Sequence, residues 1–243
     1  MAIPLAAMAR RAKKSRKASV TFRAIVPQST FASDLYNSAY APVVKGWGEA
    51  ADKIIAAYER ALSAITQDNP EQIGATIGQV EGDLARGVLT LKLRLEQWAL
   101  RVERWHRGKW RGAVLSATAV DIGTMLGAEP VRATLAATVE RNVSLVKSVS
   151  EQARQRIAEA VFQGLTKRAP ARDVAKEIRG AVDMARSRSI RIASDQLTKI
   201  SAQLDQERRR EAGIDTWEWV HSGKAHPRPE HEARNGKRYS DDD

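Results

Sequence analysis

Three histidines crowd the C-terminal stretch of this chain: His221, His226 and His231, followed by Asn235 and the run Asp241, Asp242, Asp243. Imidazole and carboxylate together suit zinc or a nuclease metal. A His with an Asn is also a pairing in which a His base activates water beside a divalent ion. The surroundings argue against a metal. No strand–helix–strand frame is legible, and no acid but Glu230 precedes His231 at a ligand-like spacing. His226 and His231 are weak metal candidates, and His231 reads better as a hydrogen-bonding anchor that packs its loop onto a helix end. Asp195 has Arg191 and Lys199 one turn away on either side, i,i+4 pairs worth about 0.3–0.5 kcal/mol each. It lacks the partner acid or nucleophile that a general base serves. The glycines fit neither a phosphate-binding loop nor a dinucleotide fingerprint. No catalytic residue, cofactor site or enzymatic activity is read from the residues.

The elements that hold these groups span residues 186–239. Ile190, Ala193, Leu197, Ile200 and Leu204 step by three and four, one apolar stripe on a long helix, with Arg191, Asp195, Lys199, Asp205 and Arg209 opposite. Ala212-Gly213 stops that helix, because Gly takes the left-handed conformation freely and Ile214 can fold back. Thr216-Trp217-Glu218-Trp219-Val220 alternates as a half-buried strand with both Trp on one face. Asn235-Gly236 is a tight turn before a return strand. Trp217, Trp219, Arg228, His231, Asn235 and Gly236 are read as anchors of this loop, the tryptophans as core rather than exposed binding residues.

Charge is unevenly spread. The 243 residues carry a net charge of +11 with no Cys and 43% hydrophobic residues. That composition supports a packed core and excludes disulfide frameworks and thiolate metal sites. No apolar run approaches the roughly 20 residues that span a bilayer, so no membrane partner is expected. No acid precedes Asp34, whereas Arg10, Arg11, Lys13, Lys14, Arg16, Lys17 and Arg23 do. Residues 1–29 are expected to be a flexible basic arm for DNA phosphates or an acidic protein surface.

The body reads as mainly α. A helical region begins near Thr30 and is broken at Pro42. A helix over 43–65 carries Val44, Trp47, Ala51, Ile54, Ile55, Tyr58 and Leu62 on one side. The next starts at Asn69-Pro70 and runs to about His106. Within it Gly74, Gly78 and Gly82 form a small-residue face for a close backbone neighbour. Leu91, Leu95, Trp98, Val102 and Trp105 form a stripe among Arg94, Arg101, Arg104, Arg107, Lys109 and Arg111. Trp among cations can stack on single-stranded nucleic acid, but the helical period favours a core stripe. Gly108 and Gly112 loosen the chain, and 120–123 is a connector. Ser148 to Glu151 fits a capping box that starts a helix to about Leu165. A turn at 164–170 and a short helix over 171–182 precede the long C-terminal one. The domains expected are a basic arm over 1–29, a long-helix region over 30–112, and a helical module ending in a small β element over 113–243.

The order of elements over 114–239 resembles the phage head morphogenesis family, typified by the F-like minor head protein of phage Mu. The carrying residues are Ala119-Val120-Asp121-Ile122; Asn142-Val143-Ser144-Leu145-Val146-Lys147-Ser148; Val161-Phe162-Gln163-Gly164; and Ala171-Arg172-Asp173-Val174-Ala175-Lys176-Glu177-Ile178. Next come Ile192-Ala193-Ser194-Asp195-Gln196-Leu197-Thr198-Lys199, Ala212-Gly213-Ile214, Trp217-Glu218-Trp219, Arg228-Pro229-Glu230-His231 and Asn235-Gly236-Lys237. No single motif is specific; the ordered set carries the resemblance. The chain departs from the family at Gly223-Lys224-Ala225-His226, where acids are usual, and in stopping soon after the Gly-Lys turn. The resemblance implies a structural minor head protein inside the virion near the portal vertex, made in the host cytoplasm. Its implied partners are the portal protein and packaged double-stranded DNA, with scaffold or capsid protein as further candidates. The alternative is a stand-alone DNA-binding or metal-dependent DNA-processing protein.

Overall fold

The computed structural model describes residues 3, 5–13, 22, 25–63, 69–127, 129–220 and 228–240, without the side chains of residues 13, 69, 70, 88, 89 and 130. Its elements in order are α1 (Leu5–Lys13), α2 (Thr30–Leu35), a π-helical turn (Tyr36–Tyr40), α3 (Ala41–Ser63), α4 (Asn69–Thr118), α5 (Glu129–Lys167), α6 (Ala171–Glu211), β1 (Thr216–Glu218), α7 (Pro229–Arg234) and β2 (Arg238–Ser240). The mainly α expectation with a small terminal β element holds.

The helices are fewer and longer than the sequence reading has them. Pro42 does not break the chain; it lies just past the π-helical turn. Such a wide turn makes room where a proline ring would strike the carbonyl four residues back. Helix α4 continues past His106 to Thr118. Leu91, Leu95, Trp98, Val102, His106, Trp110, Val114 and Thr118 are all buried, at steps of three and four that continue without a gap past the expected end. Gly108 and Gly112 sit on the exposed side and do not loosen it. Ser148 caps nothing, because α5 runs through it. Val146, Val149, Ala153 and Ile157 keep the same buried period across the expected start. Helix α6 is also continuous where a short helix and a long one were expected. Its buried line is Val174, Ile178, Ala181, Ala185, Ser189, Ala193, Leu197, Ile200, Leu204 and Arg208. Small and polar members hide that line from a hydropathy scan. Ala193, Leu197, Ile200 and Leu204 of the expected stripe are buried; only at its start does the expectation fail, where Ser189 is buried and Ile190 is 49% exposed.

The sequence reading divides the chain consecutively. The compact units instead combine separate segments: a first unit of 1–26, 104–133 and 201–243, and a second of 27–103 and 134–200. The second is a helical bundle around Tyr40, Trp47, Ile54, Tyr58, Leu95, Trp98, Ile157 and Ile178. Its aromatic polar atoms are bonded across helices. Tyr40 donates to Asn142 Oδ1 at 2.9 Å, and Trp47 Nε1 to Ser150 Oγ at 3.0 Å. Tyr58 donates to the Ala169 carbonyl at 2.8 Å, and Trp98 Nε1 to the Phe31 carbonyl at 2.8 Å. Burial pushes the Tyr40 phenol up, opposed by the Arg188 charge. The Gly74 and Gly78 face meets nothing within 4 Å, so the expected close neighbour is absent among the described residues. The close approach occurs at Gly164, where an added Cβ would lie 2.5 Å from Val174 Cγ2.

In the first unit, Ile3 and Leu5 are buried with Trp110, Val114, Val120, Ile122, Leu126 and Ala212, and Met8, Phe22 and Ile25 pack on the same cluster. Ile3, Leu5, Met8, Phe22 and Ile25 are residues of the stretch 1–29 that was expected as a flexible arm, and Leu5–Lys13 of it is helical.

Candidate functional site

The C-terminal module lies in the first unit and is built outward from the end of α6. Ile214 N–H donates to the Arg209 carbonyl at 2.9 Å and Gly213 N–H to that of Arg210 at 3.1 Å. This is the Schellman pattern, with Gly213 at φ 63° as expected. The chain then leaves as β1, which pairs antiparallel with β2 in the register Thr216↔Ser240, Trp217↔Tyr239, Glu218↔Arg238. Helix α7 stands between the two strands in sequence. Asn235 (φ −59°, ψ 129°) and Gly236 (φ 74°) then form a turn closed by Lys237 N–H to the Arg234 carbonyl at 3.0 Å. Those angles are type II, whose third residue needs positive φ. The turn returns Gly236 N–H to the Trp219 carbonyl and the Trp219 N–H to the Lys237 carbonyl, both at 2.9 Å.

One face of this sheet is aromatic and cationic. Trp217 lies 5.9 Å from Trp219 and 5.3 Å from Tyr239 between ring centroids. His231 meets Trp219 edge-on at 5.8 Å. The Arg209 guanidinium sits 5.4 Å over Trp217, and that of Arg234 5.6 Å over Trp219. Such contacts contribute about 0.5–1 kcal/mol each at exposed sites. Arg209 is therefore drawn onto a ring instead of the solvated face assigned to it. The tryptophans are half-buried, Arg228 is exposed before α7, and Asn235 and Gly236 are exposed.

The remaining candidates are scattered. Arg10 and Arg11 are exposed on α1 and Lys13 ends that helix. Lys14, Arg16, Lys17, Arg23, His221 and His226 lie outside the described residues. Among the described residues no group of three His, Asp or Glu could hold a metal. Asp195 accepts from Lys199 at 2.8 Å and from Gln196 at 3.0 Å, and pairs within its own helix. Trp98 and Trp110 are buried, which removes them from stacking on a nucleic acid.

The most buried polar groups of this unit were missed by the sequence reading. His106 is fully buried with Nε2 3.0 Å from Asp205 Oδ1. Arg208, also fully buried, donates to Glu211 Oε2 at 2.7 Å and to the Gly127 carbonyl at 3.1 Å. Glu211 Oε1 accepts the Gly127 N–H at 2.8 Å, and its carbonyl accepts the Ile3 N–H at 2.7 Å. The signal was present, since His106 and Arg208 each fall in step on an apolar stripe. In the connector, Arg111 grips Asp121 through Nε at 2.7 Å and Nη2 at 2.5 Å. With the Gly123 N–H, this pair holds the Asp121 carboxyl down at about 2.

This terminal module is similar to a known family. Residues 155–243 match the family model of the Phage Mu protein F like proteins. The Mu F-like stretch takes in the end of α5, all of α6 and the whole β1–α7–β2 module. The upstream motifs at 119–122 and 142–148 lie outside it. The chain is also 28% identical over 121 residues to an uncharacterised protein of Haemophilus influenzae, covering 49% of this chain. It spans only 27% of that relative's length. No solved structure matches.

Proposed function

We propose that this chain is a structural component of a tailed-phage head, acting in head morphogenesis at the portal vertex and near the packaged DNA. The Mu F-like match over 155–243 carries the reading. It coincides with the Schellman stop, the aromatic sheet and the type II turn, so it covers a folded module and not a loose motif set. The role we read is structural: Asp195 pairs within its own helix with Lys199, and His231 packs edge-on against Trp219. No helix among the described residues is long and apolar enough to cross a membrane.

The test is co-expression with the portal protein of the same genome, a high-salt wash, and mass measurement of the eluted species. The expected result is a salt-resistant complex. Recovery of free protein that shifts DNA only at low salt would overturn the portal assignment. Exposed Arg10 and Arg11 and the net charge of +11 support such a contact with DNA as a second activity of the same component.

A further inference from the structure

The outward face of α4 in the second unit is both apolar and cationic. Leu93 is 63% exposed and Leu100 is 49% exposed. Seven residues apart, they stand on one line of the helix, two turns from each other. Arg94, Gln97 and Arg101 are exposed around them. Among the described residues neither Arg94 nor Arg101 has an acidic partner, whereas Lys92, toward the α5 side, is bonded to Glu140 at 2.7 Å. The acids nearest this face on the same helix, Glu96 and Glu103, are half-buried and buried. The face therefore presents two guanidiniums outside any ion pair beside two exposed leucine side chains.

We propose that this face is a docking surface for an acidic amphipathic helix of another protein. Leucines one heptad apart fit an apolar ridge of i, i+3/i+4, i+7 residues laid along them. Guanidiniums beside that ridge match flanking carboxylates in a fork geometry. A nucleic acid would use the guanidiniums and leave both leucines in water. Trp98, the ring beside Arg94 and Arg101 in sequence, is fully buried with its Nε1 bonded to the Phe31 carbonyl. A second copy of this chain brings a net charge of +11 against the same charge. The surface is independent of the portal reading above and stands without it.

The test uses the full chain and three labelled probes: a helical peptide with a leucine ridge flanked by glutamates, a scrambled peptide of equal composition, and single-stranded oligothymidylate. The expected result is binding of the helical peptide about tenfold tighter than the scrambled one, with Leu93→Ser/Leu100→Ser weakening it by about tenfold. Arg94→Gln/Arg101→Gln weakens it similarly and flattens its salt dependence. All four positions are exposed, and circular dichroism of each variant confirms its fold. Absence of peptide binding overturns the proposal. So does equal binding of all three probes with the leucine variant unchanged, which would mark a surface for polyanions alone.

Discussion

Gly164 is a residue of the second unit whose neighbours leave no room for a side chain. A methyl there would sit 2.5 Å from Val174 Cγ2 and 2.8 Å from Tyr58 Oη, the hydroxyl that donates to the Ala169 carbonyl. Gly164→Ala is expected to lower stability by about 1–3 kcal/mol, the range for overpacking a filled core, measured by urea unfolding. Adding Val174→Ala should recover part of that loss; strict additivity of the two substitutions would disprove the steric cause. Gly213 and Gly236 matter differently, each holding a positive φ that closes a helix or a turn. These two were legible, because each follows a residue pattern that needs such a backbone. Gly164 was not, since nothing local distinguishes it from the open glycines of α4.

At the scale of elements, long helices replace the expected chain of shorter ones. Turn-like residues in α4, α5 and α6 suggested ends, yet the buried stripes pass through them in step. Tertiary burial outweighs a glycine's propensity cost of about 1 kcal/mol. This predicts that the cost is real and recoverable in α4. Gly108 and Gly112 are helical, exposed and have nothing within 4 Å of an added Cβ. Gly108→Ala and Gly112→Ala should each stabilise by about 1 kcal/mol, seen as a higher Tm. A fall in Tm would mean that these positions carry a contact or a bend.

At the scale of the whole molecule, each compact unit is assembled from segments distant in sequence. In the first unit, Ile3, Leu5, Met8, Phe22 and Ile25 pack with Trp110, Val114, Val120 and Ile122, while the Ile3 N–H donates to the Glu211 carbonyl. Removing residues 1–13 is therefore expected to do more than remove charge. Amides over 114–122 should exchange faster, and a dye for apolar surface should bind. Arg10→Gln/Arg11→Gln should leave both measurements unchanged, because those side chains are exposed. An unchanged exchange pattern in the truncated chain would show that the segment is not part of the core. DNA-binding experiments on the basic residues are better made by substitution than by deletion for the same reason.

The amino-acid sequence determined what is local and periodic. The helical class follows from apolar spacing, the stop at Gly213 from its left-handed preference, and the alternating tryptophans from strand geometry. The ordered motifs matched later over 155–243 were also readable there. Tertiary structure alone decided what depends on distant partners. It set the unbroken length of the helices and the burial of His106 against Asp205 and of Arg208 against Glu211. It laid Arg209 and Arg234 over the tryptophan rings and attached the N-terminal segment to the core. Each of these is a free-energy balance between groups far apart along the chain. Periodicity carries no record of which group will be brought opposite which.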